Sequence, residues 1–194
     1  MSDHTSFTVS VFGGSAPLPG SDAYDQAERL GRLLAKNGFA VANGGYIGTM
    51  EAVSKGAASS GGHVIGVTCD QIEQWRDVRP NPWIEVEIRL PTLRARIVRL
   101  IEEAQAIVTL PGGIGTLSEI AFAWSMMQIG EIEPRAMILV GEAWSHTLHT
   151  FFETADAYVT AKDRETLTFV QDVEDVVEAL QAWQGPERLQ EENG

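Results

Sequence analysis

The chain has 194 residues, 44% of them hydrophobic, and carries 14 Lys and Arg against 27 Asp and Glu for a formal net charge of -13. That length supports one sizeable core and a single domain, while the charge argues against a polymeric nucleic acid partner, whose phosphate backbone is held by clustered Lys and Arg. A lone cysteine, Cys69, excludes an internal disulfide framework. No stretch approaches the roughly 18 to 20 uninterrupted apolar residues of a membrane helix, and MSDHTSF lacks the basic and apolar regions of a leader, so a soluble cytoplasmic protein with no membrane partner is expected.

Taken in chain order, TVSVFGG predicts a first strand and Tyr24 to Lys36 a first amphipathic helix. FAVANGG predicts the second strand, Thr49 to Ser60 the second helix, and HVIGVT and WIEVEIRL two further strands. Thr92 to Ala104 predicts a helix whose apolar face runs through Leu93, Ile97, Leu100, Ile101 and Ala104. AIVTLPGG, RAMILVG and TLTFVQD predict the remaining strands, separated by helices over Thr116 to Gln128 and Trp144 to Ala155 and followed by one over Val173 to Trp183. Short strands that are apolar throughout, alternating with amphipathic helices, predict a doubly wound α/β fold: a mainly parallel sheet of about seven strands with helices on both faces. One domain is expected over 1–184, and GPERLQEENG, 185–194, reads as a polar tail opened by Gly-Pro.

In such a sheet, ligands sit beyond the carboxyl ends of the strands. Three of the loops there share a composition: Gly13-Gly14-Ser15 after the first strand, Gly44-Gly45-Tyr46-Ile47-Gly48-Thr49 after the second, and Gly112-Gly113-Ile114-Gly115-Thr116 after the fifth. Glycine permits close backbone approach, so each loop could turn its N–H groups toward an anion at the start of the next helix. Any one of them serves equally well as a tight βα turn; three on one edge predict a phosphate-bearing ligand. The first loop lacks G-x-G-x-x-G, and no Gly-Lys-Ser/Thr occurs, which leaves a mononucleotide or sugar phosphate rather than NAD or a Walker-type nucleotide.

Two charged residues near these loops have competing readings. Thr116-Leu117-Ser118-Glu119 fits an S/T-x-x-E capping box, while a first-turn carboxylate, held ionised by the helix dipole, could instead stabilise positive charge on a sugar or orient a water. Arg99 has Glu102 and Glu103 at the spacing of a surface pair. Arg96 has no such acid and is freer to meet a ligand, but neither has Arg94, so both remain candidates. The three lysines, Lys36, Lys55 and Lys162, lie in surface contexts unsuited to a Schiff base. His146 and His149 lack the carboxylate cluster of a metal site. No cofactor and no metal are expected.

Together, VFGGS, NGGYIGTMEAVSKGA, LRARIVRLIEEAQAIV and PGGIGTLSEI resemble the LOG (Lonely Guy) family of cytokinin riboside 5'-monophosphate phosphoribohydrolases, in the same order and spacing from about Val9 to Leu180. The resemblance implies a Rossmann-like fold and hydrolysis of the N-glycosidic bond of a nucleoside 5'-monophosphate. It implies that Arg96 and Glu119 form the catalytic pair. Gly112, Gly113, Gly115 and Thr116 would hold the 5'-phosphate, aided by Gly45, Gly48 and Thr49, with Gly14 and Ser15 beside the nucleotide. A homodimer is also implied, and the apolar cluster of Trp124, Met126, Met127 and Ile129 offers surface for it as readily as it completes a core. Four positions depart from the family pattern: Ile97 where Lys is expected, Ser118 where a first glutamate is usual, Asn43 at a third glycine, and Glu51 at the Gly after Met50. A nonhydrolytic carrier of a phosphorylated pterin or nucleotide, similar to the molybdenum-cofactor carriers, is the alternative.

Overall fold

The computed structural model describes residues 7–183; the polar tail expected at 185–194 lies outside the described residues. Seven strands form one sheet: β1 Thr8–Phe12, β2 Ala40–Asn43, β3 Val64–Cys69, β4 Val86–Leu90, β5 Ala106–Thr109, β6 Ala136–Val140 and β7 Leu167–Val170. Their spatial order is β4-β3-β2-β1-β5-β6-β7, and every pairing is parallel. Parallel neighbours need crossovers, supplied chiefly by α1 Asp22–Lys36, α2 Thr49–Ala58, α3 Asp70–Trp75, α4 Leu93–Glu103, α5 Ile114–Gln128, α6 Glu142–Thr154 and α7 Ala161–Glu165, before α8 Val176–Ala182 closes the fold. The doubly wound α/β expectation holds, and the sheet is parallel throughout. Two short helices, α3 and α7, add to the six expected from periodicity.

Alternation along the strands sorts the two cores. Val9, Val11, Val41, Val64, Val108 and Ile138 pack under α1, α2 and α8, while Phe12, Ala42, Ile65, Ile107, Met137 and Leu139 pack under α4, α5 and α6. Burial on both faces is why the central strands read as unbroken apolar runs. Edge strand β4 differs, exposing Glu87 and Arg89, charges that discourage pairing with another chain. Within the second core Met126 and Met127 are buried and Trp124 is half-buried, with the indole donating to Asp163 O at 2.9 Å. Of the apolar cluster that could serve a dimer surface or a core, Ile129 is well exposed, at 70%, Met126 and Met127 complete the core, and Trp124 also lines a groove beside α6.

Strand order reverses between β1 and β5: β1 leads outward to β2, and β5 leads the other way to β6. Loops leaving two such neighbours diverge and open a crevice. The three glycine-rich loops follow β2, β1 and β5, which lie side by side.

Candidate functional site

The loops after β1 and β5 meet edge to edge. Gly14 N–H donates to Pro111 O at 3.3 Å, and a Cβ on Gly14 would stand 3.3 Å from Gly112 Cα. Gly112 has no room for a side chain either, since its Cβ would fall 2.2 Å from Thr116 Oγ1. Helix α5 opens at Ile114 with Gly113 as N-cap and no capping side chain. Thr116 therefore lies inside the first turn and Glu119 beyond it, so the capping box suggested by Thr-x-x-Glu does not form. An uncapped first turn leaves amides and the positive end of the helix dipole available to an anion.

These loops border a cleft of about 400 Å³, lined by Gly14, Ser15, Gly113, Gly115 and Thr116 together with Arg96 and Glu119. The second loop has a different task. Thr49 directs both its N–H, at 3.0 Å, and its hydroxyl, at 2.9 Å, to Gly14 O. Gly45 N–H donates to Asn43 Oδ1 at 2.8 Å. A Cβ on Gly48 would lie 2.6 Å from Gly14 O. Gly48 and Thr49, expected at a phosphate, thus brace the first loop from behind, while Gly45, expected there too, packs toward Thr68 and Ile84, and none of the three is among the residues lining the cleft. Asn43, standing where the family has glycine, fixes the start of the second loop through its bond from Gly45 N–H, and its amide also donates to Ser54 Oγ at 2.9 Å.

Arg96 and Arg94, which the sequence left unresolved, separate clearly: Arg94 is exposed and Arg96 is buried. Arg96 Nε donates to Val67 O at 2.8 Å, its guanidinium stands 5.8 Å from the Tyr46 ring centroid, and Nη1 lies 3.6 Å from Glu119 Oε1. A Cβ on Gly44 would fall 1.6 Å from Arg96 Nη2, so the missing side chain of Gly44 is the seat of the guanidinium. Tyr46 is fully buried; its hydroxyl accepts from Cys69 N–H at 2.7 Å and stands 3.3 Å from Glu73 Oε1. Arg99 makes the expected helix-surface pair, with Glu103 at 2.5 Å.

Glu119 is buried and, among the described residues, no donor hydrogen-bonds its side chain. Loss of solvent pushes its carboxyl up to about 7, against the opposing pull of Arg96. Burial likewise draws the Arg96 guanidinium below its ordinary value, with Glu119 opposing. The expectation of a carboxylate held ionised by the helix dipole is thereby corrected: desolvation dominates, and near neutral pH the group divides between its two forms.

The sequence did not single out Gly44, Tyr46, Trp75 or Arg76 as site residues. Trp75 is 79% exposed on the rim of the cleft, with the Arg76 guanidinium 5.6 Å from its ring. Two of the positions that depart from the family pattern also line the cleft. Ile97 gives it an apolar wall, and Ser118 turns its hydroxyl back to Gly115 O at 2.7 Å. Among the described residues no three His, Cys, Asp or Glu converge as a metal site, and no helix is long and apolar enough to cross a membrane.

An all-parallel doubly wound sheet, with a switch-point cleft that joins an open helix terminus to a buried Arg–Glu pair, defines an α/β protein shaped to bind at its strand ends. Within that class the chain belongs to the SLOG cluster4 family, of LOG type, whose model matches residues 6–168. It is 29% identical over 178 residues to the cytokinin riboside 5'-monophosphate phosphoribohydrolase of Mycobacterium marinum, covering 89% of this chain and 92% of that protein. An uncharacterized protein of Archaeoglobus fulgidus is 36% identical over 102 residues, 53% of this chain and 64% of that one. The molybdenum cofactor binding protein of Rippkaea orientalis shares the fold, with TM-score 0.71 at 22% identity over 91% of this chain and 96% of that chain.

Proposed function

We propose that the protein hydrolyses the N-glycosidic bond of a nucleoside 5'-monophosphate, AMP or a cytokinin riboside monophosphate, to free base and ribose 5-phosphate. The observation that carries this reading is the meeting of Arg96 and Glu119, 3.6 Å apart and from different helices, on the cleft that the open end of α5 also lines. The phosphate lies at the amides of Gly113, Gly115 and Thr116 with Ser15 beside it. Gly14 and Gly112 keep the two loops close, and Gly48 and Thr49 hold the first of them in place, with Gly45 shaping the second loop behind them. The name of the Mycobacterium marinum relative supports the same chemistry.

So held, the ribose faces Glu119. The ionised carboxylate stabilises the oxocarbenium-like transition state and takes a proton from water as the water oxygen bonds to C1'. The C1'–N bond breaks, and the base leaves with the electron pair and gains a proton from solvent. Arg96 keeps its proton and acts as an electrostatic clamp on the ligand. The working unit in this reading is a cytoplasmic homodimer that needs no cofactor or nucleic acid partner.

One residue favours a second reading, a nonhydrolytic carrier of a phosphorylated pterin or nucleotide. Ile97 offers the ligand neither the charge nor the hydrogen bond of the lysine expected at its place. Incubation of the purified protein with AMP and other 5'-monophosphates, with chromatography for free base, separates the two. Hydrolysis predicts base release that disappears in Glu119→Gln with the circular dichroism spectrum unchanged. Tight binding without release would defeat it in favour of the carrier.

A further inference from the structure

The cleft holds a second arginine. Arg76, just beyond α3, lines it and donates from Nη1 to Ser15 Oγ at 3.2 Å, while its Nε is buried without a hydrogen-bond partner. Among the described residues no carboxylate lies within ion-pair distance of Arg76, although the nearby Arg79 and Arg89 both reach Glu73, at 3.9 and 2.8 Å. A buried N–H without an acceptor is a standing cost, and a planar guanidinium is suited to grip a phosphate with two parallel bonds. Ser15 adjoins Gly14, which lies against Pro111 and Gly112 at the foot of α5. The guanidinium, the Ser15 hydroxyl and the open amides of α5 therefore border one region of the cleft.

We propose that Arg76 contacts the ligand directly: it donates to the phosphate oxygens that the α5 amides leave free, and so makes the cleft select phosphorylated ligands over their dephosphorylated forms. The assignment rests on the phosphate end of the reading above and not on bond cleavage. It also explains how a chain of net charge -13, with no lysine at its glycine-rich loops, offers a dianion a formal positive charge.

Calorimetric titration with ribose 5-phosphate, and with ribose for comparison, tests it on wild type, Arg76→Ala, Arg76→Lys and Arg79→Ala. Loss of one charge-assisted contact predicts roughly 10- to 100-fold weaker binding of ribose 5-phosphate to Arg76→Ala. Arg76→Lys should recover part of it, because a point charge lacks the planar grip, and Arg79→Ala should bind as wild type does. The proposal is overturned if Arg76→Ala binds as wild type, if Arg79→Ala weakens binding equally through bulk charge, or if wild type does not prefer ribose 5-phosphate to ribose. Thermal melts of the unliganded variants establish folding; should Arg76→Ala not fold, Arg76→Lys against wild type decides. Arg76-dependent binding without AMP hydrolysis would remove the hydrolytic reading and keep this one. Hydrolysis with an unchanged KM in Arg76→Ala would do the opposite.

Discussion

Gly44 owes its bare backbone to Arg96 rather than to a ligand. Since a Cβ would stand 1.6 Å from Nη2, Gly44→Ala must push the guanidinium off the Tyr46 ring and the Val67 carbonyl. A displacement of about 1 Å at a positioned group costs on the order of a hundredfold in rate, so kcat for AMP should fall by about that factor in a variant that still folds. Glu119 gives a pH prediction. Its carboxyl titrates near its ordinary value, about 4.3, in the unfolded chain and at about 7 in the folded protein. Between those values the folded state keeps a proton that the unfolded state has lost, so stability falls as pH rises through that window and levels off above it. The loss is on the order of 3 kcal/mol. In urea titrations Glu119→Gln should match wild type at the acid end of the window and exceed it above about pH 7. Activity should follow the opposite course, with kcat/KM rising through pH 7 as the carboxylate forms. At this scale the residues alone left Arg94 open beside Arg96 and a cap open for Glu119; the family resemblance named Arg96 and Glu119 as a pair, and they stand 3.6 Å apart. The sequence reading missed Gly44, Tyr46 and Arg76, whose roles come from contacts with Arg96, Cys69 and Ser15 that are remote along the chain.

Helices α1 and α2 touch backbone to backbone. A Cβ on Gly31 would lie 2.1 Å from Val53 O, and one on Gly56 1.9 Å from Glu28 O. Replacing an exposed mid-helix glycine with alanine stabilises by about 1 kcal/mol through propensity; here overpacking, worth about 1–3 kcal/mol, outweighs it. Gly31→Ala should lower the urea midpoint by a net destabilisation of roughly 1 kcal/mol or more, and a rise would show that the helices separate freely. The site would also loosen, because α2 begins beside the Thr49 contacts that hold the first loop. Element by element, the strands were legible from their apolar runs. Helix α3 was not, since six residues carry too little periodicity, and α5 was started late because Thr-x-x-Glu imitates a cap, whereas the helix begins after Gly113 with no capping side chain. Short helices and uncapped helix starts leave little trace in side-chain pattern.

Over the whole molecule, α5 stands out for its composition: Glu119 is its one charged residue in fifteen. The exposed positions of this helix carry Ser118, Ser125 and Gln128, but also Phe122, 40% exposed. Phe151 and Tyr158, at 44% and 86% exposure, border an apolar groove of about 540 Å³ between α5 and α6. We propose this surface as the contact of the homodimer. Light scattering should return twice the chain mass, moving toward one chain mass in a Phe151→Glu, Tyr158→Glu double variant; a monomeric wild type would dismiss it.

Central strand β1 pairs with β2 on one side and β5 on the other. On the ribosome its first neighbour is complete at Asn43 and its second only at Thr109. At synthesis rates of about 5–20 residues per second, one edge of β1 waits roughly 3–13 s for its partner, open to foreign strands meanwhile. No small molecule that binds the cleft can shield the nascent chain in that interval, because translation must deliver β5 before there is anything to bind.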